Sequence, residues 1–162
     1  MPTAQSIIKL LKLKPLPGEG GFYRETYRSA LKANCGSRSK RSLGTAIYYL
    51  ITPENFSTLH RISSDEIFHF YYGDPVELFM FGPGGKTRKA VLGPDIGKGQ
   101  HPQFLVPKNV WQGTRLLKGG SFALLGTTVF PGFDFKDYRQ GERGKLTGLF
   151  PLHRKIINAL TR

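Results

Sequence analysis

The stretch Val76-Glu77-Leu78-Phe79-Met80-Phe81, Gly82-Pro83-Gly84-Gly85, Thr87-Arg88-Lys89-Ala90-Val91-Leu92 decides the fold class. Two short runs rich in apolar residues flank a cluster of turn formers, which is how antiparallel strands are punctuated. Working outward, strand-like runs recur at 22–28, 43–52, 56–62, 66–72, 103–106, 112–117 and 121–130. Ser63-Ser64-Asp65, Gly73-Asp74-Pro75 and Lys118-Gly119-Gly120 supply turn chemistry between them. With 20 Gly and 11 Pro spacing the strands and no alternating strand–helix rhythm, the expectation is a mainly β antiparallel sandwich or barrel.

Val76–Phe81 and the run Phe122-Ala123-Leu124-Leu125-Gly126 are apolar on both faces. Both faces must then be covered, one by the core and one by a helix or a second subunit, and a homodimer is expected. After Phe130-Pro131-Gly132 the spacing of Leu146, Leu149, Phe150, Leu152, Ile156, Ile157 and Leu160 becomes helical, with a break at Pro151. Two short C-terminal helices are expected outside the barrel. At the other end, residues 1–14 read as a short amphipathic helix or a weak presequence. The absence of Arg and the sharp stop at Pro15-Leu16-Pro17-Gly18 favour the docked helix.

A chain of 162 residues with 39% hydrophobic and 12% aromatic residues can bury a core, so one domain over 1–162 is expected. Against 24 Lys+Arg stand 11 Asp+Glu, a formal charge of +13 that raises nucleic acid or an anionic surface as a partner. No helix-turn-helix, aromatic RNA-binding signature or zinc finger accompanies that charge, so nucleic acid is the alternative rather than the main reading. Its densest part, residues 29–42, has Lys32, Arg38, Lys40 and Arg41 with no acid, and reads as an exposed, mobile loop. One cysteine, Cys35, rules out an intrachain disulfide and fits a cytoplasmic protein. No apolar run approaches membrane-spanning length, which points to a soluble protein.

The segment most informative for chemistry is His60-Arg61-Ile62-Ser63-Ser64-Asp65-Glu66, closed by Gly73, with Pro107-Lys108-Asn109-Val110-Trp111-Gln112 further on. Here the chain resembles the cupins, small jelly-roll barrels whose first motif has the form G-x5-H-x-H-x3,4-E-x6-G and whose second contains P-x-G-x2-H. His60, Glu66, Gly73 and Pro107 fall on motif positions. Ile62 stands for the second histidine, Asn109 for the glycine and Gln112 for the later histidine. The runs Glu19 to Arg28, Thr45-Ala46-Ile47-Tyr48-Tyr49-Leu50, Asp65 to Tyr71, Leu92-Gly93-Pro94-Asp95, Val106-Pro107, Trp111-Gln112-Gly113 and Pro131-Gly132-Phe133-Asp134-Phe135 resemble the uncharacterised cupin family 5. The resemblance implies a single double-stranded β-helix, often dimeric, similar in fold to the sugar epimerases of rhamnose synthesis. It implies no settled reaction.

At the motif positions, His60, Glu66 and Gln112 are the candidate ligands of a divalent metal. Imidazole and carboxylate are good donors, an amide oxygen is weak, and Ile62 offers none. The alternative is a hydrogen-bonded His60/Glu66/Gln112 cluster lining a polar pocket. Strand alternation from Glu66 places Phe68 and Phe70 on its face and His69 and Tyr71 on the other, unless a bulge intervenes. His69 is either a packed histidine or a pocket member. Arg24 is a solvated edge residue or an anion binder, and Glu77 needs a partner, such as an arginine across a dimer. Trp111 either packs or stacks on a ligand at the mouth. Tyr48 and Tyr71 are candidate proton donors.

Three functions remain open at this level. One is an epimerase or isomerase acting on a small sugar or sugar phosphate: His60 is the general base, Glu66 orients it, a tyrosine is the acid and Arg24 holds the anion. The second is a non-catalytic small-molecule-binding cupin using the same pocket. The third is non-specific nucleic-acid or anionic-surface binding.

Overall fold

The computed structural model describes residues 2–35 and 40–162. Met1 and residues 36–39 of the expected basic loop lie outside the described residues. A six-stranded sheet contains β1 (Lys14–Pro15), β2 (Phe22–Arg28), β5 (Thr45–Ile51), β12 (Ala123–Phe130), β7 (Asp65–Gly73) and β10 (Gln103–Val106), in that spatial order. Facing it, a five-stranded sheet runs β13 (Arg139–Gln140), β6 (Ser57–Arg61), β11 (Trp111–Leu116), β8 (Val76–Phe81), β9 (Thr87–Leu92). Each neighbouring pair is antiparallel, which gives the expected jelly roll.

Strand alternation explains where the core sits. Val76, Leu78 and Met80 of β8 point between the sheets, where they meet Tyr49, Ile51, Phe68, Leu92, Val106, Ala123 and Leu125. Phe79 and Phe81, on the reverse face of β8, pack with Leu146, Phe150, Ile157 and Leu160 from α2 (Arg143–Leu149), α3 (Arg154–Ala159) and their flanks. Phe122 and Leu124 similarly turn toward Ala4, Ile7 and Leu13, contributed by α1 (Ala4–Leu10) and the residues after it. The two doubly apolar runs are thus each covered from within the chain. Thr3 caps α1 through a reciprocal pair of hydrogen bonds with Ser6. Among the described residues, no helix is long and apolar enough to cross a membrane.

Two expectations are corrected here. The basic segment is not wholly a loop: β3 (Lys32–Asn34) and β4 (Lys40–Ser42) pair as an antiparallel hairpin. Its base is buried, with Ser42 Oγ donating to the Ser29 carbonyl at 2.7 Å. Arg41 is tied to Asp137 and to the Gly132 carbonyl. Glu77, for its part, finds its arginine in its own chain. Arg115, directly opposite on β11, donates Nε and Nη2 at 3.1 and 3.0 Å, and Lys89 on β9 adds an ion pair at 3.2 Å. An acid on an apolar strand is tolerated because both neighbouring strands bring it a cation.

Two motif positions have backbone reasons. Gly73 ends β7 at φ +96°, where a Cβ would also collide with the Phe122 carbonyl oxygen. Asn109 replaces the motif glycine at φ +64°, the left-handed region that asparagine tolerates better than most residues.

Candidate active site

A cavity of about 380 Å³ opens between the two sheets. Its lining brings together Glu19, Tyr23, Tyr49, His60, Ile62, Glu66 and Thr127, with Phe133 and Phe135 contributed by the segment after β12. His60 comes from the end of β6 and Glu66 from the start of β7, so the short turn between those strands fixes the pair across the two sheets.

His60 is 3% exposed, and its Nδ1 lies 2.8 Å from the Thr58 carbonyl oxygen. A carbonyl only accepts, so Nδ1 carries the hydrogen and Nε2 of the neutral ring carries a lone pair. Nε2 sits 3.7 Å from Glu19 Oε2, too far for a hydrogen bond. One face of the imidazole stacks on Tyr138, with centroids 5.3 Å apart and planes inclined by 20°. The ring is therefore held by its edge and its face.

Glu19 reaches the cavity from the loop before β2. Its Oε1 accepts from Ser57 Oγ at 2.8 Å, and its backbone carbonyl accepts from both the Thr58 amide and hydroxyl. The next residue, Gly20, adopts φ +96°, and its carbonyl accepts from Tyr49 Oη at 2.9 Å. A side chain at Gly20 would run into the Phe56 carbonyl. Loop and β6 are thus locked together around the imidazole.

Glu66 is buried and accepts from Gln112 Nε2 at 2.6 Å. Burial pushes its carboxyl pKa upward, against the opposing pull of His60. Burial, reinforced by the negative charge of Glu19, also raises the pKa of Tyr49 and Tyr138, which keeps both phenols protonated. At the rim, Arg28 makes a bidentate pair with Glu25 at 2.9 and 2.7 Å and donates to the Phe133 carbonyl at 3.1 Å. Phe133 and Phe135 meet edge to face at 5.0 Å.

The residues expected from sequence divide into two groups. His60 and Glu66 line the cavity, and Gln112 lies behind Glu66, 1% exposed, without reaching the lining. Arg24 borders the cavity, but its guanidinium lies 5.5 Å over Tyr48, on the opposite face of the sheet from Tyr49. His69 and Tyr71 share that outer face: the imidazole bonds Thr128 Oγ1 at 2.9 Å and stacks on Tyr71, which is half exposed and meets Tyr48 edge-on. Burial lowers the His69 pKa. Trp111 packs beside the C-terminal helices under the Arg61 guanidinium, and Glu77 is held by Arg115 and Lys89 away from the cavity. Tyr48 and Tyr71 therefore do not line the cavity, and Arg24, which borders it, turns its guanidinium to the Tyr48 ring.

Sequence reasoning gave no role to Glu19, Tyr23, Arg28, Thr127, Phe133 or Tyr138. The one local signal was Glu19 itself, an acid set among Gly18, Gly20 and Gly21, as a tight loop displaying a side chain would be.

The motif's metal ligands do not assemble into a metal site. Among the described residues no three His, Cys, Asp or Glu side chains stand close enough to share an ion. Ile62 supplies no donor, and Gln112 turns its amide nitrogen, not its oxygen, toward Glu66. Two strong donors fall short of the three protein ligands that a catalytic metal usually takes.

Two facing antiparallel sheets with a histidine and a glutamate brought into a shared cavity define a cupin-type jelly roll. The family model of the cupin superfamily known as DUF985 matches residues 5–140, and the chain belongs to that family. An uncharacterized Saccharomyces cerevisiae protein is 30% identical over 133 residues, covering 74% of this chain and 66% of its own length. The chain thus spans about two thirds of that relative. A Shewanella oneidensis protein of known crystal structure superposes with a TM-score of 0.91 at 35% identity, covering 100% of this chain and 99% of the other. A hypothetical protein from Leishmania major gives 0.92 at 32% identity, with 99% of each chain covered. Bacillus subtilis oxalate decarboxylase, at 14% identity and a TM-score of 0.56 over 93% of this chain and 37% of its own, shares the fold alone.

Proposed function

We propose that the protein binds a small molecule in the cavity between its sheets and catalyses proton transfer on it, as an epimerase or isomerase does, with His60 as general base. The observation that carries this reading is the fixed tautomer of His60. Its Nδ1–H is committed to the Thr58 carbonyl, so the basic Nε2 lone pair faces the cavity. Imidazole suits the task because its ordinary pKa lies close to neutral pH. Glu19 Oε2 lies 3.7 Å from that nitrogen, so carboxylate and base line the same part of the cavity. Tyr23 lines the cavity with a hydroxyl that has no partner among the described residues, and it is the proposed acid that returns a proton.

Solvent isotope exchange tests this without knowledge of the product. Candidate sugars and amino sugars are incubated with the protein in deuterium oxide, and carbon-bound deuterium is read by mass spectrometry. Incorporation with the wild-type protein and its loss in His60→Asn is the expected result. Equal incorporation by the variant would remove His60 from the chemistry.

The reading includes a homodimer, supported by the exposed Tyr71 and Leu105 on the outer face of the six-stranded sheet, and a cytoplasmic location, supported by the exposed thiol of Cys35. Sedimentation velocity tests the first.

A further inference from the structure

Hydrogen-bond acceptors predominate at the cavity floor. His60 Nε2, Glu19 and Glu66 all accept hydrogen bonds, and apart from the Tyr23 hydroxyl the donors around them are already committed. His60 Nδ1 serves Thr58, Tyr49 Oη serves Gly20, Gln112 Nε2 serves Glu66, and Ser57 Oγ serves Glu19. Cations are equally scarce at depth. Arg28 is occupied by Glu25 and the Phe133 carbonyl, Lys14 stays at the rim over the Tyr23 ring, and the Arg24 guanidinium belongs to the other face of the sheet. His60 is more than nine-tenths buried, yet Nε2 meets no hydrogen-bond partner. That nitrogen opens on the cavity, where a ligand donor can pair with its lone pair.

We infer that the buried end of the ligand is a cationic hydrogen-bond donor, a protonated amine or guanidinium, and that phosphate and carboxylate groups are refused at the floor. The inference rests on reading the cavity as a small-molecule site, and it narrows the ligand class from any polar metabolite to amine-bearing ones. Two carboxylates sharing one imidazole favour a cation by direct Coulomb attraction in a poorly solvated site, and an anion there would face the same two charges with no free guanidinium in reach. The strongly basic composition of the chain thus gives no guide to the polarity of its cavity.

Three probes that share one ring and differ in one substituent test the inference: glucosamine, glucose and glucose 6-phosphate. Binding is followed at neutral pH through the imidazole nitrogen resonances of His60. Glucosamine is expected to bind about tenfold more tightly than glucose 6-phosphate, with Glu19→Gln removing that preference. If the Glu19 variant does not fold, Glu66→Gln carries the same expectation. Glucose 6-phosphate binding as tightly as glucosamine, or a preference untouched in a folded variant, overturns the inference while leaving the small-molecule reading intact. A His60 signal unmoved by all three probes counts against the small-molecule reading itself and takes the inference with it.

Discussion

Replacing Tyr49 with Phe separates what holds the site from what merely lines it. The Tyr49 ring is 1% exposed, and its hydroxyl donates to the Gly20 carbonyl at 2.9 Å. Phe keeps the packing and removes only that donor, leaving a buried carbonyl without its side-chain partner. The cost of such an orphaned group is about 1–2 kcal/mol, which in a chain of this size lowers the melting temperature by about 2–8 °C. Tyr23 is the internal control, because it lines the same cavity with a hydroxyl that serves no other group among the described residues. Tyr23→Phe is therefore expected to lie within about 0.5 kcal/mol of wild type. Both variants are measured by urea unfolding and by thermal melts monitored by near-ultraviolet circular dichroism. If Tyr49→Phe melts with Tyr23→Phe rather than below it, the Glu19–Gly20 loop is not held by this bond, and the account of how Glu19 is positioned fails.

Glu66→Gln tests the buried carboxyl. Burial raises its folded-state pKa above the ordinary 4.5, so the native state keeps its proton to higher pH than the unfolded chain does. The stability that this group contributes is then complete below its unfolded pKa and is lost as pH rises through its folded value. The stability of wild type relative to Glu66→Gln should fall from acidic toward neutral pH in denaturant titrations, and a difference that stays flat or grows would contradict the sign. Arg41→Ala removes the tie from the basic hairpin to Asp137 and the Gly132 carbonyl, in which both charged side chains are less than a fifth exposed. Amide hydrogen exchange at Phe133, Asp137 and Tyr138 should speed up by about tenfold or more, while β8 amides stay unchanged.

Where local pattern and tertiary environment agree, the fold was legible in the sequence. The strands Val76–Phe81, Thr87–Leu92 and Gln103–Val106 have the bounds that apolar patterning and turn residues assign them. The hairpin of Lys32–Asn34 with Lys40–Ser42 was not legible, because Lys-Ala-Asn and Lys-Arg-Ser carry no apolar alternation. What holds it is distant in sequence, namely Asp137 and Gly132.

The site divides along a similar line. His60 and Glu66 were found because a spacing motif marks them. Arg24 and Tyr71 were drawn in by proximity to informative runs, yet strand parity decides the face on which each side chain stands. Tyr23 and Glu25 point inward, so Arg24 points outward, and an irregularity between Glu25 and Tyr27 then returns Arg28 to the cavity. Glu19 and Tyr138 lie 41 residues before and 78 residues after His60 in the chain, and only folding brings them beside it.

The acidic floor lies inside a chain whose formal charge is +13, and that inversion has a kinetic side. A cation diffusing toward the protein meets a repulsive long-range field, and the attraction of Glu19 and Glu66 acts only within the last few ångströms. Added salt screens the outer repulsion over a Debye length of about 8–10 Å and leaves the enclosed pair less affected. Entry of a cationic ligand thus becomes faster, not slower, as ionic strength rises, the reverse of ordinary electrostatic steering.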